Sequence, residues 1–148
     1  STHFWSIVEG LTDILYDQPY ALPPLSIREV MGKEVAEKGT DAAVSFYRKV
    51  RSERPADFRF DEIELNMLGY ELMWGRRAED AVAIQKLNLE EYPYSANAYD
   101  SYGDALLAKG DTANALVNFK KCLALDSTMK ATKEKVDAIE AAGLPGVK

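Results

Sequence analysis

The stretch "SANAYDSYGDALLAKGDTANALVNFKKCLALD", Ser95 to Asp126, decides the fold. Ala98, Tyr99, Tyr102, Ala105 and Leu106 recur at helical spacing. Gly110-Asp111 breaks that helix, and Ala115, Leu116, Phe119 and Leu123 then form a second apolar stripe. The stretch reads as two helices joined by a turn. Moved back by 34 residues, it meets a second copy of its own pattern. Gly103 lands on Gly69, Ala115 on Ala81, Tyr99 on Leu65, Tyr102 on Leu68 and Leu106 on Leu72. Leu116 lands on Val82, Leu123 on Leu89 and Ser127 on Pro93. A fixed period of this size marks a repeat array, in which each unit buries its apolar face only by stacking on its neighbours. Small residues at Gly103 and Ala115 predict that the two helices cross closely there, because interaxial distance follows the size of the contact side chains.

The organisation follows from that register. Residues 62–95 and 96–129 are two full units. Residues 24–57 are a degenerate unit, with Ala43, Tyr47, Val50 and Pro55 in register but no glycine in its first helix. Residues 58–61 are an insertion. Ser26-x-x-Glu29 and Asp61-x-x-Glu64 have the form of capping boxes and predict two helix starts. Residues 130–148 form a capping helix and tail, with Val136 and Ile139 inward and Lys133, Glu134, Lys135 and Glu140 outward; Gly143 and Pro145 stop it. Residues 1–23 comprise an N-terminal helix and a linker. Phe4, Ile7, Val8, Leu11, Ile14 and Leu15 form its stripe, and "QPYALPP" (Gln18–Pro24) is a stiff connector. The expected fold is therefore all-α.

Tyr99-x-x-Tyr102-Gly103-x-x-Leu106, followed by Ala115, Phe119, Cys122 and Ser127, resembles a tetratricopeptide repeat. The resemblance implies antiparallel helix pairs in a right-handed solenoid. Unit 62–95 departs from the family pattern at Gln85 and Asn88, where an aromatic residue and an alanine are expected, and carries Gly75 one position early. That leaves its second helix polar on one side, which marks a place for something to pack. A narrower likeness rests on "ELNMLGYELM" (Glu64–Met73), "KLNLEEYPYSANAYDSYGDALLAKGD" (Lys86–Asp111) and "DILYDQPYALPPLSI" (Asp13–Ile27). The first two are similar to the C-terminal repeat extension of bacterial serine hydrolases, either β-lactamase-like (penicillin-binding-protein-like) or α/β-hydrolase esterases, and the third resembles the connector of the β-lactamase-like group. The resemblance implies a longer parent with its active site elsewhere, periplasmic or secreted if β-lactamase-like and cytoplasmic otherwise. The start at Ser1, without a basic n-region or an apolar h-region, fits a processed or excised piece.

Composition excludes several classes. The 148 residues carry a net charge of −6, which argues against a nucleic-acid partner, because neutralising phosphates needs a basic face. No apolar run is long enough to span a bilayer. One cysteine and one histidine cannot make a disulfide or a four-ligand zinc site, and no cofactor motif is present. Ser127-x-x-Lys130 and Ser95-Ala-Asn97 match fragments of β-lactamase motifs, but Lys-Thr-Gly and G-x-S-x-G are absent and both serines fall at repeat junctions. No catalytic residue is assigned. Asp100, Asp104 and Asp111 read as a solvated face, and Cys122 as a buried, inert thiol.

Binding residues are expected where an array presents its concave side, lined by the first helix of each unit. Carried over from the family, that face holds Asn66, Met67, Tyr70, Met73 and Trp74 in one unit. Asn97, Asp100, Ser101, Asp104 and Leu107 follow in the next. Some arrays of this family grip a C-terminal carboxylate with lysines and asparagines. Here Asn66 and Asp104 hold the matching places and the lysines are missing, so such a partner is not expected. Met67, Tyr70, Met73 and Trp74 leave two readings open: an adaptable binding patch, or packing against the N-terminal helix or a neighbouring unit. The function expected is a protein–protein or interdomain interaction module whose partner is a protein or peptide, the parent's own catalytic domain included. Nothing in the sequence supports a homo-oligomer. The alternatives are a free-standing adaptor that binds a peptide, and a structural spacer or dimerisation arm.

Overall fold

A computed structural model describes residues 22–143. The expected N-terminal helix and the first part of its linker lie outside the described residues. Seven helices account for 77% of what is described, and the fold is all-α. In chain order they are α1 (Ile27–Lys38), α2 (Thr40–Glu53), α3 (Glu62–Trp74), α4 (Ala78–Glu91), α5 (Ala96–Lys109), α6 (Thr112–Leu125) and α7 (Lys130–Ala142). Two very short strands, β1 (Leu25–Ser26) and β2 (Phe58–Arg59), pair in parallel.

The helix ends are set by local chemistry. Ser26, Ser95 and Asp111 accept the N–H groups of Glu29, Ala98 and Asn114, which caps α1, α5 and α6. The ends of α3 and α5 share one hydrogen-bonded motif. Arg77 N–H reaches Leu72 O and Arg76 N–H reaches Met73 O; Asp111 N–H and Gly110 N–H repeat this on Leu106 O and Leu107 O. The motif needs one residue in the left-handed region. Gly110 supplies it at φ 92°, whereas Arg76 supplies it at φ 60°.

Each helix packs on the next except across the insertion, where α2 lies against α4 instead of α3. The first helices of the pairs also touch in series, α1 on α3 and α3 on α5. One apolar core runs through α1–α4 to Ala105, and a smaller one joins Leu106, Ala115, Leu116, Phe119 and Val136. Val82 packs against both.

Three expectations are corrected in detail. First, the side chain that requires Gly103 is Phe119 and not Ala115: a Cβ on Gly103 would lie 2.5–3.0 Å from the Phe119 ring, and one on Gly69 would lie 2.3–2.7 Å from Gln85. The glycine thus makes room for the large residue at the helix crossing, while Ala115 is buried beside it. Second, Asp61 makes no side-chain cap, and Glu64 is used elsewhere. The Glu64 carboxylate accepts the Ser26 hydroxyl and the Arg28 N–H and pairs with Arg59 at 3.2 Å, tying α3 to the start of α1. Third, Lys135 does not point outward but reaches across to α5. The insertion joins the core: Phe58 is buried, and Phe60 stands edge-on to Tyr47 at 5.3 Å.

Candidate functional site

α3 carries no basic residue, and its side away from α4 is where the sequence expects binding. Trp74, at the last turn, is 72% exposed, and its ring lies 6.1 Å from that of Tyr70 at an interplanar angle of 34°. Met67 is half-buried, and Met73 packs against the core. The four residues therefore divide between the two open readings. Met73 is partly scaffold, while Trp74, apart from its contact with Tyr70, remains largely exposed. Beside them, Arg28, Glu29, Gly32, Lys33 and Ala36 of α1 and Glu71 of α3 line a groove of about 450 Å³. Met67 and Trp74 stand four before and three after Glu71, which places them on the same side of α3 as this groove. Arg28 pairs with Glu71 at 2.9 Å across its floor.

The polar residues expected around the patch are mostly taken up internally. Asn66 is buried, and its backbone carbonyl accepts Gln85 Nε2 at 3.0 Å. Ser101 is buried beneath Tyr70. Asn97 is exposed and donates to Glu62 Oε1 at 2.9 Å. Leu107 is exposed at the next helix end. Asp100 is buried and Asp104 half-buried, so neither belongs to a free acidic rim.

Instead they anchor a cluster that spans three helices. Tyr70 O–H donates to Asp104 Oδ2 at 2.9 Å. Lys135 Nζ of α7 donates to Asp104 Oδ1 at 2.6 Å and to both Asp100 oxygens at 3.1 and 3.2 Å. Thr132 O–H donates to Asp100 Oδ1 at 2.7 Å, and Lys135 Nζ also lies 5.0 Å from the centre of the Phe119 ring. Burial works against the Lys135 charge, yet the bond to Asp104 and the two carboxylate charges outweigh it and raise its pKa. Burial first, and Asp104 after it, push the Tyr70 hydroxyl up to about 12 against the lowering effect of Ser101. A lysine and a tyrosine held this firmly in their protonated forms are poor general bases near neutrality. Burial likewise raises the Cys122 thiol, which donates to Thr132.

Ser95, one of the two motif serines, caps α5 and donates to Glu62 at 2.8 Å; Ser127 is exposed in the turn before α7. Among the described residues no three His, Cys, Asp or Glu side chains converge as metal ligands, and no helix is long and apolar enough to cross a membrane.

Sequence reasoning missed two surfaces. The first is the α1 groove, since Gly32 and Ala36 look unremarkable until Glu71 is seen opposite. The second is an apolar groove of about 310 Å³ lined by Pro93, Tyr94, Tyr99, Lys121, Ala124 and Leu125, where Tyr94 is 89% exposed. The run "EYPYS" before a helix start was its available signal. A comparison with protein-family models and with curated proteins finds no match to this chain.

Proposed function

We propose that this chain is a tetratricopeptide-type solenoid that acts as a protein–protein or interdomain interaction module, the C-terminal appendage of a bacterial serine hydrolase. The 34-residue register supports the solenoid, as does the packing of α1 on α3 and α3 on α5. The hydrolase parent rests on the resemblance of residues 13–27, 64–73 and 86–111. The observation that carries the interaction reading is Trp74. An indole 72% exposed and set against Tyr70 is a large apolar contact left uncovered, on a helix whose neighbouring carboxylates are already paired. Aromatic side chains of this kind dominate interface energetics.

Two measurements test it. The reading frame around residues 1–148 is expected to encode a serine hydrolase domain; a frame without one retires that parent. Binding of this chain to that domain is then followed by calorimetry. Trp74→Ala is expected to weaken it by about tenfold or more, the effect of removing a contact worth about 1.4 kcal/mol or more. Because the side chain leaves no internal cavity, stability should change by no more than about 0.5 kcal/mol. Loss of several kcal/mol on thermal melting, with unchanged affinity, makes Trp74 scaffold and rejects the patch.

A further inference from the structure

The groove beside α1 has small residues on one side and an apolar stripe along the other. Gly32 and the exposed Ala36 stand one turn apart on α1. On α3, Ile63 stands one turn before Met67 and is 56% exposed. Nothing among the described residues uses the room at Gly32. A Cβ there would meet only Leu68 Cδ1, at an ordinary 3.7 Å, whereas Gln85 and Phe119 fill the space at Gly69 and Gly103. A glycine inside a helix weakens it relative to alanine, so Gly32 serves an occupant that lies outside the described residues. The described chain begins beside this groove. Leu22 and Leu25, 87% and 58% exposed, lead directly into α1. α1 and α3 run the same way, since Arg28 N–H meets Glu64 near both starts and Gly32 faces Leu68. The groove therefore opens at Arg28, where the chain enters, and runs toward Ala36.

We propose that the chain's own residues 4–15 occupy this groove as an amphipathic helix antiparallel to α1, with their apolar stripe on Gly32, Ala36, Ile63 and Met67. Phe4, Ile7, Val8 and Leu11 recur at i, i+3, i+4 and i+7, the spacing by which such a helix seats in a groove. Length and reach agree. Twelve helical residues extend about 18 Å, against about 12 Å from Arg28 to Ala36, and residues 16–21 span up to about 20 Å. Charge agrees as well. Residues 1–21 carry Glu9, Asp13 and Asp17 with no lysine or arginine, while the groove is rimmed by Arg28 and Lys33. Lys33 makes no ion pair among the described residues. Trp74 stands a turn past Glu71, so this docking holds whether or not Trp74 meets a partner, and either can fail alone.

A nitroxide label on the full chain tests this. Cys122 is fully buried, so a thiol-specific label attaches at an added cysteine, and the unaltered protein treated alike is the blank. A label at Ser6→Cys is expected to bleach the amide signals of Lys33 and Ala36 most strongly, and one at Thr12→Cys those of Arg28 and Glu29. Ala36→Arg fills the groove from an exposed helical position and should restore these signals. Leu11→Asp, outside the described residues, places a charge in the stripe and should restore them too, even where Ala36→Arg disturbs the fold. Isotope-enriched protein mixed with spin-labelled, unenriched protein should show no bleaching. Signals left intact in the labelled chain overturn the proposal, as does bleaching that survives Leu11→Asp or falls around Tyr94 and Leu125 instead. Equal bleaching in the mixture makes the occupant a second copy and overturns docking in cis.

Discussion

Arg76 and Gly110 hold the same place in successive units and make the same pair of backbone bonds at a helix end. Only one of them is suited to it. A side chain with a Cβ at φ 60° pays a steric penalty that glycine does not. Arg76 makes none of the ion pairs found among the described residues, so little offsets that penalty. Arg76→Gly is therefore expected to raise stability by about 0.5–1 kcal/mol, read as a higher urea midpoint at unchanged m-value. A lower midpoint would show that the arginine contributes more than its strain costs. The sequence displayed Gly75 out of register, but it could not show that the turn keeps its geometry and forces the next residue into the left-handed region. At Gly103 it was more legible, since that glycine was identified as a crossing point and Gly69 as its counterpart one repeat back. Their true neighbours, Gln85 and Phe119, depend on how deeply the second helix seats, which spacing alone does not give.

At the scale of the element, α4 stands out because its inner face is polar where that of α6 is not. Gln85 and Asn88 occupy the places of Phe119 and Cys122, and all four are fully buried. The polar side noted in the sequence, read there as a place where something packs, is thus an inner face. What the pattern could not show is which group packs there, because 3.6-residue periodicity registers polarity and not the neighbour that meets it. Gln85 is partly satisfied through Asn66, whereas Asn88 finds no partner among the described residues for either its oxygen or its nitrogen. An unmet buried polar atom costs about 1–3 kcal/mol, which exceeds the loss of two small-atom contacts. Asn88→Ala is therefore expected to stabilise the protein by about 1 kcal/mol, measured by chemical denaturation. A net loss of stability would mean that the amide is satisfied in solution. The helix α7 illustrates the opposite case. Its bounds, Lys130–Ala142, are those expected from sequence, and Val136 faces the core. Lys135 was misread because its four-carbon stem carries a charge back across to α5, which a helical projection does not represent.

Across the whole molecule, the polar cluster links α3, α5 and α7 through protonated donors, and this makes stability sensitive to alkali. Tyr70 is raised from 10.0 to about 12, and Lys135 is raised from 10.5. For a group whose folded pKa lies above its unfolded value, the native state holds the proton more tightly. Its contribution is complete below the unfolded pKa and is lost as pH rises through the folded one. The relevant window therefore opens near pH 10 for Tyr70 and just above it for Lys135. Tyr47, Tyr92 and Tyr102 are raised as well, chiefly by burial, and add to the same loss. Unfolding free energy is expected to be flat on this account up to about pH 10 and to fall steeply beyond it, each coupled proton contributing up to about 1.4 kcal/mol per pH unit. Tyr70→Phe removes one titrating group and should flatten the profile between pH 10 and 12 by up to that amount. Lys135→Met should flatten it from just above pH 10. Because the cluster is one network, the two changes together should flatten it by less than the sum of each alone. Denaturant melts of the four proteins from pH 8 to 12 decide the matter. A profile unchanged by either substitution would show that the three helices are held by the apolar core alone and that the cluster carries no coupled stability.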